Sequence, residues 1–308
     1  MPLQFTNAPI FSLKKSGRKP TFAAQFQHQM DLQKLEQTAS QVRRDIVRMV
    51  HAMQSGHPGG SLGCTDFMVA LYFHTMKHNP EFNMDGTGED IFFLSNGHIS
   101  PVFYSVLARS GYFPIAELGT FRKINSRLQG HPTTHEHLPG VRIASGSLGQ
   151  GMSVAAGAAL AKKMNGDDRF VFSLHGDGEL QEGQNWEAIM FAAHHKIDNL
   201  ISTIDVNGQQ IDGSTESVMS LGSLKDKFTA FGWDVLEMDG NNMTEVVNTL
   251  DTAKAACGKG KPVCILMNTA MGKGVDFMEG THEWHGIAPN DAQLESALQQ
   301  LTMTIGDY

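Results

Sequence analysis

The sequence predicts an α/β fold, a doubly wound, mostly parallel sheet with helices on both faces. Three observations carry that expectation. Mostly apolar runs of strand length recur along the chain: "DIFFLS", "RFVFSL", "NLISTIDV", "WDVLEM" and "PVCILMN". Stretches with helical spacing of apolar residues separate them, and strand–helix alternation favours a parallel sheet covered on both sides. Glycine-rich turns follow directly on two of the runs, at the carboxyl ends of strands where such sheets bind ligands.

The elements follow in chain order. Residues 1–30 are irregular and weakly apolar, and read as an N-terminal arm or partner contact; residues 31–308 read as one domain. From Asp31 to about Met53, Leu32, Leu35, Val42, Ile46, Val47 and Val50 recur at helical spacing with Arg43, Arg44 and Arg48 between them. "SGHPGGSLG" interrupts, and a second helix spans about Thr65 to Thr75. The strand Asp90–Ser95 ends in Asn96-Gly97-His98, and Val102–Ser110 reads as a helix. A region rich in Gly, His and Pro runs from Gly130 to Gly151 and ends in "GSLGQG". The small-residue helix "MSVAAGAALAKKM" follows, suited to close packing. "RFVFSL" is the next strand, "NWEAIMFAAHH" a helix, and "NLISTIDV" a strand running into "NGQQIDG". The last two strands are "WDVLEM" and "PVCILMN", with helices at about Thr244–Ala256 and Asp291–Leu301.

Composition excludes several classes of function. With 41% apolar and 18% charged residues over 308 positions, the chain can bury a sizeable core. A net charge of -8 argues against a general binder of nucleic acid or anionic membranes. One anion held by a metal and backbone amides remains compatible with that charge. No apolar run reaches the roughly 20 residues of a membrane span, and the first thirty residues lack a secretory signal. "SLKKSGRKP" reads as a surface extension, with organelle targeting as the alternative. Cys64, Cys257 and Cys264 form no CxxC pair, so reduced thiols in the cytoplasm are expected.

The chemistry concentrates in "HGDGELQEGQNWEA" and in the histidines. Asp177 lies between glycines after a buried strand, and Asn207 follows the next strand 30 residues later. Their loops can be neighbours at one sheet edge. A carboxylate and an amide oxygen suit Mg²⁺ or Ca²⁺ rather than zinc, and Mg²⁺ fills its shell with phosphates and water. Flanking glycines let a diphosphate approach the backbone, and a following helix offers free N–H groups. The ordinary alternative is a pair of Asp-Gly and Asn-Gly turns. Fourteen histidines are many, and several stand beside Gly or Pro: "GHPGG", "NGHIS", "QGHPTTHEH" and "EWHG". Such settings place them in loops, as caps or as site residues. His28, His51, His74, His78, His194 and His195 lack those contexts and read as surface or packing residues.

Taken together, "SGHPGGSLG", "FLSNGHISPVFYSVLA", "LQGHPTTHEHLPGVRIASGSLGQGMSVAAGAALA", "HGDGELQEGQNWEA", "VNGQQIDG" and "GKGVDFMEGTHEWHG" resemble the N-terminal half of transketolase. The resemblance runs in family order from about residue 32 to about 290. Transketolases move two-carbon ketol units between sugars with thiamine diphosphate. The resemblance implies that Asp177, Asn207 and the backbone carbonyl of Gln209 hold Mg²⁺, with Ca²⁺ or Mn²⁺ as substitutes. Gly176, Gly178 and His98 would border the diphosphate, and Gly146 and Leu148 would line the cofactor cleft. His57, His131 and His285 would surround the reacting carbon and the substrate hydroxyls, with His282 the rival of His285. Lys273 would meet the diphosphate or the substrate. Glu182 would reach a second cofactor-binding domain, where a charge network joins paired active sites; a solvated helix-start acid describes Glu179 better.

Histidine suits such a reaction because it titrates near neutrality and both takes and returns a proton. The family's pyrimidine-binding and C-terminal domains, with the activating glutamate and the sugar-phosphate arginines, have no counterpart here, and no arginine follows Arg169. The resemblance therefore implies an N-terminal, diphosphate-binding subunit that works with a second chain carrying those domains, in a two-plus-two heterotetramer. The closing helix and "IGDY" suit a natural subunit better than a truncation. The alternatives are a subunit like deoxyxylulose-phosphate synthase or the alpha chain of a 2-oxo acid dehydrogenase, or a non-catalytic regulatory subunit. A nicotinamide-dependent dehydrogenase is disfavoured, because no GxGxxG opens a strand–helix unit.

Overall fold

A computed structural model describes residues 31–308; the expected N-terminal arm, residues 1–30, lies outside the described residues. Helix α1 (Leu32–Met53) starts where Asp31 caps it, its carboxylate accepting the Lys34 N–H at 2.9 Å. Then come α2 (Pro58–Gly63) and α3 (Thr65–Ala70), whose last turn widens over Leu71–Thr75. Strand β1 (Ile91–Leu94) leads into α4 (Ser100–Arg109). After a long irregular stretch, α5 (Gly151–Met164), β2 (Val171–Gly176), α6 (Gly183–His194) and β3 (Leu200–Val206) follow in alternation. A small hairpin, β4 (Gln209–Gln210) and β5 (Gly213–Ser214), precedes α7 (Thr215–Met219) and α8 (Leu224–Ala230). The chain finishes through β6 (Asp234–Asp239), α9 (Met243–Ala256), β7 (Val263–Asn268) and α10 (Asp291–Gln300).

Strands β1, β2, β3, β7 and β6 form one five-stranded sheet in that order, every pairing parallel. This is the predicted doubly wound sheet, built from the five predicted strands. Successive side chains of a strand point to opposite faces, so a sheet covered twice must be apolar at both parities. Phe92, Leu94, Phe172, Leu174, Ile201, Val263, Ile265 and Met267 pack into the core under α1, α3, α4 and α9. Ile91, Phe93, Val171, Leu200, Ile204, Cys264 and Leu266 pack into the other, under α5, α6 and α8. Each fully buried Leu, Ile or Phe adds roughly 1.5–3 kcal/mol. The alanines of α5 (Ala155, Ala156, Ala159) let that helix lie close to the sheet.

One stretch departs from expectation. "SGHPGGSLG" contains helix α2 instead of a loop. Pro58 stands in its first turn, where a fixed φ costs nothing. Its glycines serve approach rather than bending: a Cβ on Gly59 would lie 2.5 Å from Met271 and 2.8 Å from the Trp284 carbonyl, and one on Gly60 2.9 Å from Ile99. Helix α4 also begins two residues early, at Ser100, with Pro101 in its first turn. The hairpin and helices α7 and α8 lie in polar sequence, where apolar periodicity gives no signal. Among the described residues no helix is long and apolar enough to cross a membrane.

Candidate active site

The carboxyl ends of β1, β2, β3 and β7 converge on one edge of the sheet. Strand β2 delivers Gly176 and Asp177, and β3 delivers Asn207. The two loops are tied directly. Asp177 N donates to the Asp205 carbonyl (3.1 Å), and Gly208 N donates to Asp177 Oδ2 (2.7 Å). Gly178 N donates to Asp177 Oδ1 at 2.7 Å, and Gln209 N to Asn207 Oδ1 at 2.8 Å. Each of these oxygens keeps a second lone pair for a cation.

Asp177 is 3% exposed, and burial together with the neighbouring Asp205 carboxylate pushes it up to about 7. Asp205 is itself raised by burial, against hydrogen bonds from Thr269 Oγ1 (2.5 Å) and Asn207 Nδ2 (2.8 Å). Two buried carboxylates that resist ionising together are what a divalent cation relieves. Asp177, Asn207 and the Gln209 backbone supply the hard oxygen donors Mg²⁺ prefers, so the residues present fit the ion. Among the described residues no cluster of three or more His, Cys, Asp or Glu side chains suits a metal.

Above this edge stands a ring of histidines. His57 stands at the start of α2, His98 in the 3-10 turn after β1, His131 in the irregular stretch, and His285 in the turn His282–His285. Ring centroids lie 5.3 Å apart for His57 and His98, 6.1 Å for His57 and His131, 5.5 Å for His57 and His285, and 5.1 Å for His98 and His285. His285 thus joins the ring, while His282 is exposed. Burial, then His285, lowers His57 to about 4 and His98 to about 3; burial also lowers His131 and His285. The ring is neutral near pH 7. Nδ1 of His57 and of His285 is buried without a partner among the described residues, which leaves both nitrogens for a substrate's hydroxyls.

The "GSLGQG" loop closes against this ring. Gly146 has φ +121°, and a Cβ there would lie 2.5 Å from the His131 ring. A Cβ on Gly97 would lie 2.4 Å from Ser145 Oγ, and one on Gly151 2.3 Å from Ser95. The glycines therefore let this loop lie directly against the turn after β1 and the His131 ring. The Leu148 carbonyl accepts from Gln184 Nε2 at 3.4 Å. Gly178 is less constrained, since a Cβ there would meet Gln210 at an ordinary 3.4 Å.

Two residues have partners that the sequence did not indicate. The Lys273 ammonium pairs with Glu279 at 2.9 Å. Glu179 is no solvated acid. It is 2% exposed, and its carboxylate accepts from Ser95 Oγ, from Gly149 N (2.9 Å) and from Gly176 N (3.1 Å), with His175 Nδ1 at 3.6 Å. One side chain thus joins the ends of β1 and β2 to the "GSLGQG" loop. Glu182, by contrast, is exposed at the start of α6 and makes no capping bond. Sequence reasoning also missed Asp205, although an aspartate inside the apolar run "NLISTIDV" was a signal of it. Cys64, Cys257 and Cys264 are free thiols.

Comparison with known proteins gives the family. Residues 35–306 match the family described as transketolase, thiamine diphosphate binding domain. An apulose-4-phosphate transketolase subunit of Phocaeicola vulgatus is 38% identical over 276 residues, 90% of this chain and 96% of that protein. The 6-deoxy-6-sulfo-D-fructose transketolase subunit SqwG of a Clostridium species is 39% identical over 275 residues, 89% of this chain and 98% of its own. Among solved structures, the transketolase of Campylobacter jejuni superposes with a TM-score of 0.82 at 35% identity, covering 88% of this chain but 43% of that one. The chain thus spans less than half of the solved transketolases it matches. With the family's fold, its motifs and its glycine-lined strand ends all present, the chain belongs to the transketolase family as a thiamine diphosphate binding domain.

Proposed function

We propose that this chain is the N-terminal subunit of a thiamine diphosphate- and Mg²⁺-dependent transketolase. It moves a two-carbon ketol unit from a ketose to an aldose, each bearing a terminal anionic group such as a phosphate. Its partner is a second chain with the pyrimidine-binding and C-terminal domains, in a two-plus-two assembly. Relatives of matching length named as subunits support the division of labour. Three free thiols suit a cytoplasmic location.

In this reading Asp177, Asn207 and the Gln209 carbonyl hold the metal. Gly176, Gly178, His98, Gly146 and the Leu148 backbone surround the diphosphate. The cofactor supplies an electron sink for the carbanion that ketol cleavage requires. The chain's own residues do the proton work. His57, His131 and His285, neutral near pH 7, hold the sugar hydroxyls, accept the proton of the hydroxyl beside the breaking bond and return it to the new one. The "GSLGQG" loop covers one side of the ring, and since His57 and His285 are half-buried and His131 is exposed in this chain, the partner domain completes the exclusion of water. Glu182, exposed beside the loop, faces the partner domain.

The observation that carries the proposal is the neutral histidine ring standing over two buried carboxylates at the same sheet edge. The test is reconstitution. The chain co-purified with a pyrimidine-domain partner should transfer ketol units between pentose phosphates only when thiamine diphosphate and Mg²⁺ are added. A complex that forms, binds the cofactor and transfers nothing from any ketose would refute it.

A further inference from the structure

We infer that Asp205 is a positioning residue of the metal site: its carboxylate holds the NH₂ end of Asn207 and so turns the Oδ1 end toward the cation. The inference rests on the reading above of Asp177, Asn207 and the Gln209 carbonyl as the ligands. An amide has two ends of like size, and they are not equivalent to a cation. The oxygen can ligate it, whereas the NH₂ turns its hydrogens on it. In the structure Asn207 Nδ2 donates to Asp205 Oδ2 at 2.8 Å. A carboxylate offers acceptors alone, so it takes the NH₂ end and repels the oxygen. Asn207 Oδ1 is left on the other side, where Gln209 N donates to it at 2.8 Å. The preceding amide, Gly208 N, donates to Asp177 Oδ2 at 2.7 Å. Consecutive backbone N–H groups thus hold one oxygen of each side-chain ligand.

Asp205 is itself held from behind. It stands two residues before Asn207 at the end of β3, so the two side chains leave the same face of the strand. Ile201 of that face packs into the core under α1, α3, α4 and α9, and Asp205 is 2% exposed. A carboxylate buried there needs donors. Thr269 Oγ1, just beyond β7, donates to Oδ1 at 2.5 Å, and the fully buried Cys64 thiol adds a further hydrogen bond. Thr269 is confined in turn, since a Cβ on Gly240 would lie 2.7 Å from its methyl. Asn241 braces the same place: its Nδ2 donates to the Gly63 carbonyl at 2.9 Å, and its Oδ1 accepts from Ala270 N at 2.7 Å. The main chain of Asp205 is fixed as well, its carbonyl accepting from Asp177 N at 3.1 Å. Each Asp205 carboxylate oxygen therefore faces a donor of the fold, Oδ1 toward Thr269 and Oδ2 toward Asn207. That places Asp205 behind the ligands rather than among them, as groups that orient metal ligands commonly stand.

The test is titration calorimetry of thiamine diphosphate on the partner-bound complex, once with Mg²⁺ and once with a chelator in its place. Asp205→Asn keeps the shape of the side chain but lets it present an NH₂ to Asn207, which frees that amide to turn round. Affinity in Mg²⁺ should fall roughly 10–100-fold, while the metal-free affinity stays within about threefold of wild type. Adding Asn207→Asp to that variant rebuilds the hydrogen bond with the roles exchanged, and should bring the affinity in Mg²⁺ back to within about fivefold of wild type. Thr269→Val leaves Asp205 in place, and decides the matter should Asp205→Asn fail to fold. A positioning carboxylate that loses this hydrogen bond is free to rotate, so affinity in Mg²⁺ should fall roughly 3–10-fold. Binding that is unchanged or tighter in Thr269→Val would show Asp205 to be a ligand itself and overturn the inference. So would an Asp205→Asn complex as tight as wild type in Mg²⁺, an equal loss with and without the metal, or no recovery in the double variant. A wild-type complex with no Mg²⁺ dependence, or an Asp177→Ala complex that keeps it, removes the metal reading and this inference with it. Mg²⁺ dependence lost in Asp177→Ala but kept in Asp205→Asn leaves the ligand reading standing and sinks this inference alone.

Discussion

Replacing Glu179 with glutamine should destabilise the chain without changing its shape. The carboxylate accepts from Ser95 Oγ, Gly149 N and Gly176 N, all in the buried seam between β1, β2 and the "GSLGQG" loop. A glutamine keeps one acceptor oxygen and presents an NH₂ where the other stood. One backbone N–H then faces a donor, at about 1–3 kcal/mol for the orphaned group, and the remaining bonds lose their charge assistance. A total near 3 kcal/mol should lower Tm by roughly 5–10 °C. The pH dependence carries a sign. Glu179 is held below its ordinary pKa by His175, Ser95 and Gly149 against the cost of burial, so its contribution is present above about pH 4.5 and lost as pH falls through the lower folded value. Thermal melts followed by circular dichroism from pH 4 to pH 8 measure both. The variant should lie well below wild type at pH 7 and approach it in acid. A Glu179→Gln chain melting within 1 °C of wild type at pH 7 would refute the account of the seam.

Three further outcomes follow from the same geometry. His57, lowered to about 4 by burial and His285, stabilises the fold above pH 6.5, and about 3 kcal/mol of that is lost as pH falls toward 4. His57→Gln should flatten the acid limb of a urea-denaturation series, and an unchanged limb would show the ring to be solvated. Gly151→Ala places a methyl 2.3 Å from Ser95 and should cost about 1–3 kcal/mol in urea melts, whereas Gly178→Ala, with 3.4 Å to Gln210, should cost under about 0.5 kcal/mol while weakening cofactor binding. Lys273→Met should change cofactor affinity by less than about threefold, since its ion pair with Glu279 is half exposed and worth about 0–1 kcal/mol; a tenfold loss in titration calorimetry would put Lys273 at the diphosphate after all.

The strands were legible because a sheet buried on both faces must be largely apolar at both parities; "VCILM" is so throughout, and "FVFSL" is so but for Ser173, whose buried hydroxyl bonds Ser202 Oγ at 2.9 Å. The stretch "SGHPGGSLG" misled because glycine is read as a loop signal, while here it lets Met271, Trp284 and Ile99 approach a short helix. Asp177 and Asn207 could be found from spacing, since a strand–helix–strand interval sets where both must fall. Glu179 could not be told from a solvated acid, because what buries it is Ser95, 84 positions away, and a loop 30 positions away. His282 and His285 were separable only by the turn that aims one into the ring and leaves the other exposed.

Mg²⁺-dependent binding of thiamine diphosphate, measured by titration calorimetry on the partner-bound complex, bears most directly on the central claim that Asp177 and Asn207 clamp a metal-bridged diphosphate. Asp177→Ala, which removes a ligand and leaves Asp205 alone in the site, should weaken that binding by at least about 100-fold and abolish its dependence on Mg²⁺. An Asp177→Ala complex that binds the cofactor as tightly as wild type, with the same Mg²⁺ dependence, would contradict it.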